Sequence, residues 1–118
     1  MPNECSNNLT IVCQDNPELL EEIYKNEFNI FKDKYVSIKT ECGLIINIST
    51  AWRPIDLVKL LNKYDKCWIK NEWEEEGGVC GVCVGGYLNG SKVETKSLEW
   101  LDVSIEGKSQ YFNKTWYK

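Results

Sequence analysis

Apolar and polar residues alternate along several short stretches of this chain, which is the pattern of β-strands with one buried face. The clearest stretch is 44–50, where Leu44, Ile46 and Ile48 share one side of the predicted strand. Further strands are predicted at 8–13, 35–40, 66–73, 79–88 and 91–97.

Apolar residues at three- and four-residue spacing predict two helices. The first follows Asn16-Pro17, which suit the N-cap and the first helical position, and is expected to end near residues 31–34. The second is expected to begin at Pro54. Its predicted buried stripe consists of Leu57, Leu60, Leu61 and Tyr64.

Asn89-Gly90 predicts a tight hairpin, because a type I′ turn needs positive φ at both central residues. The order β-α-β-β-α-β followed by this hairpin predicts an α+β, ferredoxin-like fold. In that fold an antiparallel sheet carries both helices on one face, here with a C-terminal β-hairpin extension. The 118 residues suffice for a single domain, 1–118, in which 107–118 form a polar and aromatic tail.

The net charge of −4 is unevenly distributed along the chain. Residues 1–76 carry 14 acidic and 9 basic side chains, so a phosphate backbone would be repelled and direct nucleic-acid binding is disfavoured. No apolar run is long enough to span a membrane, and the polar N-terminus lacks the features of a secretory signal. The expected location is therefore the cytoplasm.

Histidine is absent, whereas cysteine occurs six times. The lack of histidine removes the usual general base, the Ser–His and Cys–His nucleophile pairs, and mixed Cys/His zinc sites. Cys80 and Cys83 have a C-x-x-C spacing, but they lie in a predicted strand, where positions three apart point to opposite faces. Buried structural thiols are therefore favoured, and no cofactor is predicted. Redox chemistry and a metal site are the alternatives, the latter completed by Cys5, Cys13, Cys42 or Cys67.

An acidic run meets a glycine pair in Trp73-Glu74-Glu75-Glu76-Gly77-Gly78. The favoured interpretation is a solvated strand end followed by a bend in which glycine supplies positive φ or a bulge. The alternative is a set of hard oxygen ligands for Mg²⁺ or Ca²⁺, or a general base. A phosphate site is disfavoured because the carboxylates would repel the ligand.

Five tryptophans are many for this length, and Trp52-Arg53 lies where a predicted strand meets a predicted helix. Core packing is the favoured role for any single tryptophan, but Trp and Arg also dominate binding hot spots. The predicted partner- or ligand-binding residues are Trp52, Arg53, Trp73, Glu74, Glu75, Glu76, Gly77 and Gly78.

Three segments together resemble one known family: Met1-Pro2-Asn3-x-Cys5-Ser6-Asn7-x-Leu9-Thr10-Ile11, Ser49-Thr50-Ala51-Trp52-Arg53-Pro54, and Trp73–Gly78 followed by Cys80-Gly81. The chain resembles the YubB-like proteins of phages, plasmids and other mobile elements. This resemblance implies a ferredoxin-like domain and a mobile-element origin, and it implies no reaction. Residues 37–43 lack the tryptophans that longer relatives carry in the second strand.

The leading hypothesis is a non-enzymatic phage or mobile-element protein that binds and modulates a host protein. An example is an anti-defence protein, such as an anti-CRISPR inhibitor, whose acidic part occupies a basic nucleic-acid channel. One alternative is a small-ligand or nucleotide-binding module that uses the Glu-Gly-Gly bend and Trp52-Arg53. A second alternative is a carboxylate- and metal-dependent enzyme, such as a nuclease.

Overall fold

The protein forms a single antiparallel sheet of seven strands, seen in a computed structural model that describes residues 4–103 and 108–112. The strand order across the sheet is β2-β3-β1-β4-β5-β6-β7. The elements in chain order are β1 (Glu4–Val12), α1 (Pro17–Ile23), a π-helical turn (Tyr24–Phe28), β2 (Lys34–Lys39), β3 (Gly43–Ala51), α2 (Leu57–Lys63), β4 (Trp68–Glu75), β5 (Val79–Leu88), β6 (Ser91–Val103) and β7 (Lys108–Phe112).

The predicted ferredoxin-like α+β class is wrong, because the molecule is mostly β. Each α-helix has only seven residues, and the sheet continues from β4 through three further strands. The C-terminal β-hairpin expected as an extension is part of this continuous sheet, and β6 alone has 13 residues. The sheet, rather than a balance of helices and strands, therefore defines the architecture.

The first helix is shorter than its apolar periodicity predicts. It begins at Pro17, but the side chain of Asn16 makes no capping hydrogen bond. Beyond Ile23 the backbone widens into a π-helical turn, in which Asn29 N donates to Tyr24 O at 2.9 Å. Apolar spacing alone could not distinguish this turn from a continuing α-helix.

The second helix begins three residues later than predicted. Lys59 N donates to a carboxylate oxygen of Asp56 at 3.1 Å, which makes Asp56 the N-cap and Leu57 the first helical residue. Pro54 therefore lies in the connection rather than in the helix. No helix among the described residues is long and apolar enough to cross a membrane.

The core lies between the two short helices and one face of the sheet. The central strand β1 lies between β3 and β4, and alternate residues of these strands are buried against the helices. The buried cluster includes Leu9, Ile11, Leu20, Ile23, Phe28, Leu44, Ile46, Ile48, Leu57, Leu60, Tyr64 and Ile69. The opposite face of the sheet carries no helix among the described residues, and exposed or half-buried side chains line it.

The predicted hairpin at Asn89-Gly90 is confirmed. Leu88 of β5 lies opposite Ser91 of β6, and φ is +52° at Asn89 and +78° at Gly90. The predicted tail contains β7, which pairs with β6. Residues 107 and 113–118 of that tail lie outside the described residues.

Candidate functional site

The two predicted site segments, 52–53 and 73–78, meet at one end of the sheet on either side of β1. Ala51 at the end of β3 lies opposite Glu4, and Glu76 N donates to Glu4 O at 3.1 Å on the other side. Trp52 and Glu76 are thus about two strand spacings apart, roughly 10 Å along the sheet. We call this end the acidic edge, and it consists of Glu4, Trp52, Arg53, Glu74, Glu75 and Glu76.

Trp52 occupies a strained turn at the acidic edge. Its φ is +68°, a value that bulky residues rarely adopt, and Arg53 N donates to Ala51 O at 2.8 Å across it. This hydrogen bond closes a three-residue turn of the rarer, strained γ form. The side chain is 60% exposed, so burial of the indole does not offset the strain.

Hydrogen bonds of two side chains, Thr50 and Asn7, hold this turn in place. Thr50 Oγ1 donates to Arg53 O at 2.6 Å and accepts from Asn7 Nδ2 at 2.8 Å. On the far side of the turn, Ile55 N donates to Asn7 Oδ1 at 2.9 Å. Because Asn7 is fully buried, the position of the Trp52 turn is set by the core of the sheet.

The glycine pair forms the bend that the sequence predicts. Gly78 N donates to Glu75 O at 2.9 Å, and Gly78 has φ +93°, which closes a three-residue hairpin loop between β4 and β5. Gly77 is exposed within this loop. The side chains of Glu74 and Glu76 are exposed, whereas Glu75 is half-buried and interacts with other groups.

Trp73 lies behind the acidic edge rather than on its surface. It is only 4% exposed, and its ring covers Gly81 so closely that a Cβ at that glycine would overlap the indole. The structure therefore places Trp73 as support for the end of β4.

The cysteine pair of β5 is divided between the two faces of the sheet. Cys83 is buried on the helix side opposite Asn71, and Cys80 lies opposite Glu74 on the other side. Burial raises the pKa of Cys83 to about 11, and burial outweighs the hydrogen bond with Thr50 to raise the pKa of Cys5 to about 11. These thiols are protonated at neutral pH, which makes them weak nucleophiles.

Metal binding gains no support from the geometry. Within the part of the chain that the structure describes, no three cysteine or acidic side chains come together in an arrangement that could hold a metal ion. The carboxylates of the acidic edge instead surround a shallow depression of about 280 Å³.

Sequence reasoning missed Asn7, which organises the site. The sequence did indicate the burial of Asn7, because side chains alternate between the two faces of a strand. Asn7 lies at alternate positions with Cys5, Leu9 and Ile11, on the buried face of β1. A polar residue in such a position needs buried partners. The predicted strand began at Asn8, so Asn7 was left outside the pattern.

Fold and site together define a mostly β protein that presents a tryptophan beside several glutamates at one end of its sheet. No protein-family profile, curated protein or solved structure matches the chain. The resemblance to the YubB-like proteins therefore stays a prediction.

Proposed function

We propose that this protein acts by binding another protein through the acidic edge, with Trp52 as the anchor of the contact. The observation that carries the proposal is the strained, exposed conformation of Trp52. A bulky residue at positive φ costs of order 1–3 kcal/mol and is retained where it serves a function. Tryptophan is among the residues that contribute most to binding hot spots.

The charge around the anchor indicates what kind of surface the partner has. Exposed Glu4 lies opposite Ala51 beside the Trp52 turn, and exposed Glu74 and Glu76 lie across β1 from it. The only arginine of the chain, Arg53, follows Trp52. A basic protein surface with an apolar pocket for the indole complements this arrangement. The carboxylates then accelerate association and select against acidic surfaces.

Basic channels of nucleic-acid-processing or defence proteins have this chemistry, and we extend the proposal to a host protein of that class. The origin in a mobile element rests on the resemblance of the sequence segments alone. The cytoplasm is the proposed compartment, since all six cysteines are free thiols, as expected in a reducing environment.

A capture experiment with three baits tests the role of Trp52. Wild type, Trp52→Gly and Tyr35→Ala are each incubated with lysate of the host cell, and bound proteins are quantified by mass spectrometry. Tyr35 is 71% exposed on the edge strand β2, so it controls for the loss of any exposed aromatic side chain. We expect wild type and the Tyr35 variant to capture the same basic protein. Trp52→Gly should bind that protein at least tenfold more weakly, a loss of about 1.4 kcal/mol in binding free energy.

The same substitution separates binding from folding. Glycine tolerates the positive φ of position 52, so Trp52→Gly should unfold at the same denaturant concentration as wild type or at a slightly higher one. The expected gain in the free energy of unfolding is at most about 1 kcal/mol. Identical capture by all three baits would refute the proposal. So would loss of capture that merely follows loss of stability.

A further inference from the structure

The sheet face without helices has a groove of about 510 Å³ that crosses β1, β4, β5 and β6. Its position follows from the strand register. Glu74 of β4 lies opposite both Ser6 of β1 and Cys80 of β5, and Cys80 lies opposite Trp100 of β6. We call this feature the sheet groove.

The two sides of the sheet groove differ in chemistry. One side is polar and is lined by Ser6, Asn8, Lys70, Glu72 and Glu74. Trp100 lines the other side, and the smaller side chains of Cys80 and Val82 lie between them. Glu74 and Trp100 are two strand spacings apart, roughly 10 Å, and both line the groove.

The polar side offers donors and acceptors with little net charge. Lys70 Nζ lies 3.0 Å from Glu72 Oε1, so these two charges largely compensate each other. Ser6 and Asn8 add neutral groups that donate and accept, and Glu74 adds a second carboxylate. This set suits an uncharged ligand with many hydroxyls, and it disfavours phosphate-bearing ligands.

We propose that the sheet groove binds a neutral saccharide, with one sugar ring stacked on Trp100 and its hydroxyls hydrogen-bonded by Lys70, Glu72 and Glu74. A sugar ring has an apolar C–H face that packs on an aromatic ring, while its edge carries hydroxyls that donate and accept. The groove is shallow, and the side chains of Lys70 and Glu72 are 36% and 55% exposed. It therefore accommodates an internal unit of a longer glycan rather than enclosing a monosaccharide.

This second surface is separate from the Trp52 turn, although both include Glu74 at their common border. The saccharide proposal does not rest on the existence of a protein partner. A variant at Glu72 or Trp100 tests the groove, and a variant at Trp52 tests the acidic edge.

The experiment is an NMR titration of the ¹⁵N-labelled full chain with three neutral hexasaccharides: cellohexaose, maltohexaose and the fully N-acetylated chitohexaose. We expect at least one hexasaccharide to shift the signals of residues that line the groove, including the indole N–H of Trp100. Glu72→Gln and Trp100→Ala should each raise the dissociation constant for the sugar at least tenfold. Trp52→Gly should bind the sugar as wild type does. Glu72→Gln keeps the test valid if Trp100→Ala fails to fold, because Glu72 is exposed on the sheet surface.

The proposal is overturned if no hexasaccharide shifts the groove signals or if the shifts map to another surface. It is also overturned if Glu72→Gln and Trp100→Ala variants that remain folded bind as wild type does. Binding of a lysine-rich peptide in the groove while all three sugars fail would equally overturn it, and would assign the groove to a cationic ligand. Sugar binding by a protein that captures no basic partner would refute only the acidic-edge proposal, and Trp52-dependent capture without sugar binding would refute only the saccharide proposal.

Discussion

One buried asparagine links three strands and the loop that presents Trp52. Asn7 Nδ2 donates to Ile48 O at 3.2 Å and to Thr50 Oγ1 at 2.8 Å, both in β3. Its Oδ1 accepts from Ile55 N and from Asn71 Nδ2 of β4, each at 2.9 Å. A polar group in this position is stabilising only while its partners are present, and each of these partners is buried or half-buried.

Asn7→Ala should therefore lower the free energy of unfolding by about 3 kcal/mol, because it leaves several buried polar groups without a partner. Urea denaturation followed by tryptophan fluorescence measures the change. The neighbouring Asn8→Ala is the matched control, since Asn8 is exposed on the other face of β1 and should cost no more than about 0.5 kcal/mol. Equal effects of the two substitutions would contradict the assigned role of Asn7.

At the scale of elements, β5 owes its close fit against β4 to a glycine. Gly81 lies opposite Trp73, and the indole occupies the space where any larger side chain would begin. Trp73 is thereby buried at the end of β4, immediately before the glutamates of the acidic edge. The fit of these two strands thus supports the candidate site.

Gly81→Ala should cost about 2 kcal/mol or more in unfolding free energy, because the new methyl group would overlap the ring of Trp73. Thermal denaturation and the near-ultraviolet circular dichroism of the tryptophans report the change. Gly77→Ala, in the exposed hairpin loop, serves as the control and should be nearly neutral. If Gly81→Ala unfolds at the same temperature as wild type, the packing described for Trp73 is incorrect.

A second contact between elements joins the π-helical turn to α2. Burial alone would raise the pKa of the Glu27 carboxyl, but Lys63 Nζ donates to it at 2.8 Å and the Tyr64 hydroxyl at 2.7 Å. The net effect holds the pKa of Glu27 below its ordinary value. Its stabilising contribution is therefore present above the unfolded-state pKa and is lost as pH falls through the lower folded-state value.

Glu27→Gln should be less stable than wild type at neutral pH, and the difference should shrink as pH falls from about 5 towards 3. Urea denaturation at a series of pH values measures this convergence. Glu22→Gln, at an exposed position of α1, is the control and should show no comparable convergence. A difference between Glu27→Gln and wild type that stays constant down to pH 3 would exclude the proposed contribution.

At the scale of the molecule, the sheet is strongly supported near β1 and more weakly at its β2 edge. β1 pairs with β3 and β4 along nearly its full length and lies beneath the core. Among the described strands β2 pairs with β3 alone, and its register is interrupted between Val36 and Ile38. Both proposed binding surfaces include residues of β1 and β4, so they are built on the rigid part of the sheet.

Hydrogen exchange should reveal this difference in local stability between β1 and β2. We expect the amides of β1 to exchange about two orders of magnitude more slowly than those of β2 in the native protein. Exchange followed by NMR provides the rates. Protection of β2 equal to that of β1 would contradict this difference and would indicate that another chain covers the edge.

Much of the sheet could be predicted from local patterns, and part of the site as well. Residues 79–88 form a strand with the predicted bounds because the Glu-Gly-Gly bend and Asn89-Gly90 mark its ends. Trp52, Arg53 and the glutamates were selected from composition and position. Their meeting at one edge was not predicted, because it depends on β1 pairing with both β3 and β4.

The fold class could not be obtained from periodicity, because periodicity reports which residues face a core and does not report where a helix ends. Residues 24–28 keep a helical apolar spacing and are nevertheless a π-helical turn. The sheet groove was also missed, because Trp100 and Glu74 are distant in the chain and meet only through two strand registers.

The amino-acid sequence alone determined most strand positions, the Asn89-Gly90 turn and the absence of histidine chemistry, since these depend on neighbouring residues or on composition. Tertiary structure decided the lengths of the helices, the burial of Trp73, the strained exposure of Trp52 and the assembly of both binding surfaces. The physical reason is that each of these depends on hydrogen bonds or packing between strands separated by many residues, which local propensity does not encode.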